Sequence, residues 1–510
     1  MKKFLLGCCA SLLLLSCAKE GTPDLGSAQK DQLVSKTEIN QHIRTIMDRD
    51  GIYDWKHAPD PILFSAAMHS DSIFAIGYQT AATDDLENNI HLIDIKSSKW
   101  LDARNEVLNV ILKNEQEFNP EMTISDLLPY GYPEDLPSME VRITNPSTIA
   151  ILRDMEEIRY LESISYVLAP DNAVERSSSG CGASPNFNLN SADYSTIAPG
   201  TKRSWHHATS DVPSAWNNTT GSGVTVAIID TGISDNQDNL GSQFNSGYSS
   251  GRFVQRYSTK YSGAWWWKSL DPPHDQCGHG TQMAGLATAP RSNDGNAVGI
   301  AYNANLIGIR AVEDVFISSG NEKRGVRDAL ILAGNRSDVK VISMSLGTPF
   351  SSGTVSDGVY YAYNRGKMIL AAAGTSFSWS SGFGVIFPAT MSQTVAVTGV
   401  KDASNMVKCN VCHSGSKVDF VMTMQRSAST SRNALTLVPS NSNQPTYVSG
   451  SSAATASVAG IAALIYSSHP GATRTQVYNA MKQQANFYPN KNSNFGWGRI
   501  DANDAVNMSF

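Results

Sequence analysis

Three residues far apart in this chain have side chains that could together carry out acyl transfer. Ser452 stands near the start of the apolar run YVSGSSAATASVAGIAALIY, Tyr447 to Tyr466, just after Gly450 and Ser451. A hydroxyl is a weak nucleophile and needs a base. His279 lies in GHGTQMAGLATA, Gly278 to Ala289, and imidazole titrates near neutrality unaided. Asp230 closes the apolar part of VTVAIIDTG, Val224 to Gly232. A carboxylate beside an imidazole fixes its tautomer and stabilises its charged form. Each residue alone has a plainer reading: helix-cap serines, a structural histidine, a turn aspartate. It is their combination that points to nucleophile, base and orienter.

Those side chains need elements to hold them. The Tyr447–Tyr466 run carries no charge, and a helix that is apolar all round is a buried helix. Its N-terminus offers free N–H groups and partial positive charge to a developing oxyanion. From about Trp205 onward, apolar strand candidates (224–229, 306–309, 341–344, 368–372, 394–400) alternate with helix candidates (281–288, 324–333, 355–363). A last helix is read over 473–485. That alternation predicts an α/β unit over 205–510, a mostly parallel sheet with helices on both faces. Sites in such sheets lie at the carboxyl ends of strands, and Asp230 follows the first strand directly.

The motifs D-T-G, H-G-T and G-S-S, in the order Asp, His, Ser, resemble those of the subtilisin-like serine proteases, the subtilase family. The resemblance covers about residues 205–508. It implies a serine endopeptidase working through an Asp230–His279–Ser452 triad and an acyl-enzyme, with no required cofactor. It implies that Ser345, Leu346 and Gly347, in VISMSLG, pair with an extended substrate as an added strand. Ala372, Ala373 and Gly374, in LAAAG, would wall the specificity pocket. The chain also departs from the family pattern. Thr375 stands where the family has an asparagine that donates into the oxyanion hole. Losing such a donor costs about 10²–10³ in turnover, leaving the Ser452 backbone N–H. Ser451, Ala453, Ala456 and Ser457 replace Thr, Met, Pro and His around the nucleophile. A slow or selective protease fits these changes, cutting after neutral or apolar residues since Ser376 is neutral. The alternative is a weak or inactive subtilase-fold lipoprotein that binds peptides or a partner.

At 510 residues the chain is long enough for two or three units. A net charge of −6 argues against nucleic acid as the main partner. Lys2 and Lys3 before the apolar run Phe4 to Leu15 read as a signal peptide over 1–16. Leu14-Leu15-Ser16-Cys17 resembles a bacterial lipobox, which implies lipid on Cys17 and membrane anchoring after export. Ala18-Lys19-Glu20 has no aspartate, favouring the outer membrane. Residues 17–35 read as a tether. Residues 36–170 read as a small α+β unit, with strands at 90–95, 139–144 and 160–167 and helices at 100–115 and 148–158. The resemblance makes it a propeptide that caps the cleft. Residues 171–204 form a linker, with self-processing placed between Ala169 and Gly180.

Four of seven cysteines remain after Cys8, Cys9 and Cys17: Cys181, Cys277, Cys409 and Cys412. An even number in an exported chain predicts two disulfides, and three pairings are open. Proximity favours Cys409 with Cys412, leaving Cys181 with Cys277. The rival for CNVCH is c-type haem attachment; zinc lacks a second ligand pair. Asp235, Asp238 and Asn239 could take calcium, but ordinary polar loop residues explain them better. Trp265, Trp266 and Trp267, in YSGAWWWK, would line a cleft wall or pack under a loop.

Overall fold

The computed structural model describes residues 33–510 except 82, 133, 169–180, 264–267 and 376–383. The signal run, Cys17, most of the tether, the processing segment, the three tryptophans and Ser376 lie outside the described residues.

The first unit spans residues 33–168. Helix α1, Lys36–Asp50, starts at a capping box between Ser35 and Glu38 and buries Ile39, Ile43 and Met47 at four-residue spacing. Helices α2 (Asp60–Met68), α3 (Ser98–Glu115) and α4 (Ser147–Arg153) join it. They cover one face of a three-stranded antiparallel sheet: β1 (Ile73–Tyr78), β2 (Ser138–Arg142) and β3 (Ile158–Ser163), in the order β2-β1-β3. The strand expected at 90–95 is not there. Ile90–Leu92 form a single 3₁₀ turn with Leu92 71% exposed. The central strand is IFAIGY instead, buried at every position. Burial on both faces removes the alternation that marks a half-exposed strand.

The second unit holds a seven-stranded sheet whose strands are all parallel. In chain order they are β4 (Thr225–Asp230), β5 (Val254–Ser258), β6 (Asn305–Arg310), β7 (Val339–Met344), β8 (Met368–Ala372), β9 (Thr394–Lys401) and β10 (Phe420–Gln425). Their order across the sheet is β10-β9-β8-β7-β4-β6-β5. Helices α5 (His279–Thr288) and α8 (Gly450–Ser468) share a core with one face. Helices α6 (Gly320–Asn335) and α7 (Gly353–Asn364) share a core with the other. Helix α9, Arg474–Gln483, packs on the α8 side. Within α8 every residue is buried except Ser452, Ser467 and Ser468.

The first unit docks on α6 and α7 through its sheet. Phe74, Ile76 and Tyr78 face its own helices, while Ile73 and Ala75 face the opposite way with Ile164 and Tyr160. Arg159 makes a two-pronged pair with Asp357 of α7, at 2.8 and 2.7 Å. Glu162 accepts from Ser352 Oγ and the Gly353 N–H at the N-terminus of α7, at 2.9 and 3.0 Å, where orphan donors and the helix dipole favour an anion. Arg324 of α6 pairs with Glu140. Phe350 of the second unit stacks on Trp55 within the first unit's core. Tyr166 and Leu168 belong to that same core. Among the described residues, none of this unit lines the space beside Ser452; its described part docks on α6 and α7.

Candidate active site

Asp230 is the last residue of β4 and is 1% exposed. Its Oδ1 accepts the His279 Nδ1–H at 2.7 Å and the Thr231 N–H at 2.8 Å. His279 is the first residue of α5, whose N-terminus comes down onto the D-T-G turn. That approach requires glycine at 280, because a Cβ there would lie 2.2 Å from the Gly232 carbonyl oxygen. With Nδ1 committed to Asp230, Nε2 is the basic nitrogen. Burial pulls the His279 pKa down. The charge and hydrogen bond of Asp230, helped by Asp275 and Asp314, outweigh it, and the net shift is upward.

A second carboxylate, which the sequence reading missed, ties these parts together. Asp275 is 3% exposed. Its Oδ1 accepts from Thr231 Oγ1 and from the Cys277 and Gly278 N–H groups, at 2.9, 3.1 and 2.6 Å. Its Oδ2 accepts from the N–H and Oγ1 of Thr281, at 2.9 and 2.6 Å. The threonines of D-T-G and H-G-T therefore meet on one buried anion, which also sits at the N-terminus of α5. In the sequence it is one acid among the polar residues of DPPHDQCGHGT, and nothing in the spacing separates it from Asp271.

Ser452 lies in the first turn of α8 and is partly exposed. α8 packs beside α5. The Ser452 hydroxyl donates to the Ser345 carbonyl at 3.4 Å, a long and weak bond, and Ser345 Oγ donates to the Ser452 carbonyl at 3.0 Å. Ser345, Leu346, Gly347, Ala372, Gly374 and Thr375 surround Ser452 and enclose about 30 Å³. Ala373 does not join them. Successive residues of an extended strand face opposite ways, and Ala373 is buried in the core on the far side. Gly347 lines this space with both backbone groups bonded: its N–H donates to Val315 O and its carbonyl accepts from the Ile317 N–H, both at 3.0 Å.

Thr375 stands beside Ser452. A Cβ on Gly450 would lie 3.3 Å from Thr375 Oγ1. Ser451 Oγ spends its proton on the Gly374 carbonyl at 2.7 Å, so Thr375 Oγ1, at 3.1 Å from Ser451 Oγ, is the donor between those two hydroxyls. Gly374 has φ +124° and a Cβ there would strike the ring of His413, so only glycine fits. His413 is buried, donates through Nδ1 to the Gly384 carbonyl at 2.8 Å, and has its pKa pushed down to about 4 by burial.

Cys181 pairs with Cys277, two residues before His279, and Cys409 pairs with Cys412. Both thiols of CNVCH are thereby consumed, leaving none for haem or zinc. Asp235 faces Arg256 and His274, at 3.3 and 3.4 Å, and Asn239 donates to Asp294. Among the described residues no group of three or more His, Cys, Asp or Glu is arranged to hold a metal ion.

A parallel α/β sheet that ends a strand in an acid bonded to imidazole, with a hydroxyl on the neighbouring core helix, has the architecture of a serine hydrolase. Residues 221–498 match the profile of Peptidase_S8, the subtilase family, and the chain belongs to that family. It is similar to the Thermophilic serine proteinase of Bacillus sp. (strain AK1), 30% identical over 293 residues, covering 57% of this chain and 64% of that one. It is 29% identical over 294 residues to Thermitase of Thermoactinomyces vulgaris, covering 58% of this chain and 92% of that one. It is 30% identical over 313 residues to Subtilisin Savinase of Lederbergia lenta, covering 59% and 98%. The chain thus spans less than two thirds of the first relative and nearly all of the other two.

Proposed function

We propose that the chain is a subtilisin-type serine endopeptidase in which Ser452 attacks the peptide carbonyl. His279 Nε2 takes the hydroxyl proton and returns it to the leaving amine, and Asp230 holds the imidazolium. Water then hydrolyses the acyl-enzyme by the same path. The observation that supports this most is the 2.7 Å bond from His279 to Asp230 beside the α8 turn that carries Ser452. The hydroxyl must swing from the Ser345 carbonyl toward His279, and its weak 3.4 Å bond opposes that little. The Ser452 N–H at the helix N-terminus would hold the oxyanion, joined by Thr375 Oγ1 if it turns from Ser451. Peptides or proteins are the substrates. The 33–168 unit acts as propeptide, released from covalent continuity by a cut within 169–180. Export and lipid on Cys17 anchor the chain to a bacterial membrane, the outer one by the residues after Cys17.

A fluorophosphonate probe tests the chemistry. Labelling of the processed parent and not of Ser452→Ala supports the enzyme. Labelling of neither, from folded and processed protein, refutes it and favours the peptide-binding scaffold. That second reading draws on the engaged Thr375 hydroxyl, which leaves the oxyanion site one ready donor short. Loss of radiolabelled palmitate incorporation in Cys17→Ala checks the anchor.

A further inference from the structure

A short arm of chain ties the loop before His279 to the strand before Ser452. Cys181 is bonded to Cys277, two residues before His279, and the Gly182 N–H donates to the Cys277 carbonyl at 2.8 Å. Further along, the Asn186 N–H donates to the Pro445 carbonyl at 3.1 Å, and Gln444 Nε2 donates to the Asn186 carbonyl at 2.5 Å. The Asn190 N–H reaches the Tyr447 hydroxyl oxygen at 3.0 Å. None of residues 181–190 is buried, and Phe187 is 80% exposed. The arm therefore has little apolar packing of its own, and its first residues depend on the bridge. One surface hydrogen bond does not offset the entropy of ordering them.

The two disulfides differ in access. Cys181 is exposed, whereas Cys409 and Cys412 are wholly buried. Exchange needs a thiolate in contact with a bridging sulfur, so one bridge is open to attack and the other is shielded. We propose that Cys181–Cys277 is an exchange site for a protein dithiol, and that opening it frees the arm from the His279 loop. The proposal rests on the reading of the chain as an exported subtilisin-type endopeptidase. One thiolate of the dithiol attacks Cys181 Sγ, the bond to Cys277 breaks, and Cys277 leaves as thiolate. The second thiolate then displaces Cys181 from the mixed disulfide. The dithiol ends oxidised, and its two protons pass to Cys181 and Cys277. The Cys277 and Gly278 N–H groups still bind Asp275, but the covalent hold beside His279 is gone. A misplacement of about 1 Å costs about 10²-fold in rate, so a partial loosening lowers kcat and leaves KM nearly unchanged.

Two measurements on the processed chain test this. In the first, folded protein is treated with reduced thioredoxin as the probe dithiol, alkylated, and mapped by mass spectrometry. Alkylation of Cys181 and Cys277 with Cys409–Cys412 still bridged is expected. No alkylation, or equal opening of both bridges, overturns the proposal whatever the protein's activity. In the second, kcat and KM are measured on a peptidyl-coumarin amide before reduction, after it, and after reoxidation, with active sites counted by fluorophosphonate. A reversible fall in kcat of about tenfold with KM within about threefold is expected, and an unchanged kcat in fully alkylated protein overturns the role given to the arm. Cys181→Ser should start at the lowered kcat and not respond to the dithiol. If Ser452 takes no fluorophosphonate while alkylation remains selective, the protease reading falls and the exchange site stands.

Discussion

Asp275→Asn isolates the anion that joins the two halves of the relay. The amide keeps one oxygen, and its best orientation puts that oxygen where Oδ1 accepts from Thr231, Cys277 and Gly278. The NH₂ group then faces the Thr281 N–H, which loses its 2.9 Å acceptor. One buried unsatisfied donor costs about 1–3 kcal/mol. Removing the charge from the N-terminus of α5 adds about 0.3–1 kcal/mol. The sum is about 1–4 kcal/mol, visible in urea as a lower midpoint with unchanged slope. Asp275 also helps raise the His279 pKa. With that negative charge gone the imidazolium is less favoured, so the acid limb of kcat/KM moves to lower pH. A simple structural brace would lower stability and leave the limb in place. An unchanged midpoint, or an acid limb that stays or moves upward, refutes the reasoning.

Three further outcomes follow from other parts of the molecule. His206 and His207 are fully buried and meet edge to face, with burial pushing the His206 pKa to about 3 and His207 well below its usual value. The unfolded chain binds protons there below about pH 6.5 and the folded chain does not, so stability falls as pH drops, by up to about 1.4 kcal/mol per unit for each histidine. His207→Phe should flatten the dependence of the urea midpoint between pH 6 and 4, and an unchanged slope counts against the assignment. Asp357→Ala leaves Arg159, whose side chain is 12% exposed, without its partner. It should weaken docking of the 33–168 unit by about 3–5 kcal/mol, read as an earlier transition of that unit. Thr375→Asn supplies an amide of the length the oxyanion requires and should raise kcat by about tenfold or more with KM little changed. A fall in kcat would show that the Thr375 hydroxyl is itself the donor.

The parts of this site that could be read from the sequence depend on local chemistry, and those that could not depend on pairing at a distance. Asp230 was legible because an apolar run ends on it, and a parallel strand presents its last residue to the site. Ser452 was legible only together with the D-T-G and H-G-T motifs, since a hydroxyl at the start of a buried helix reads equally as a cap. Strand β5, VQRYS, was missed because it lies at the sheet edge half exposed and carries polar residues. Strand β10, FVMTMQ, was missed because Met, Thr and Gln dilute the β-branched signal although all six residues are buried. Ala373 was assigned to the pocket wall because LAAAG was read as a patch, whereas an extended chain sends alternate residues to opposite faces.

Gly347 shows the limit most sharply. Its residue type and its place after β7 were read correctly, and neither reveals that a segment about thirty residues earlier has taken its N–H and carbonyl. Backbone groups are the same in every residue, so a motif cannot record whether they are free. Side chains can record it indirectly. The carboxylate of Glu322 and the threonines flanking Asp275 are buried polar groups that stay buried only when their partners are fixed. In this fold such residues stand beside both the Asp230–His279 pair and the Ser345–Gly347 edge. A buried acid next to a motif is thus the better pointer to how the motif is held, and the motif is the better pointer to what it does.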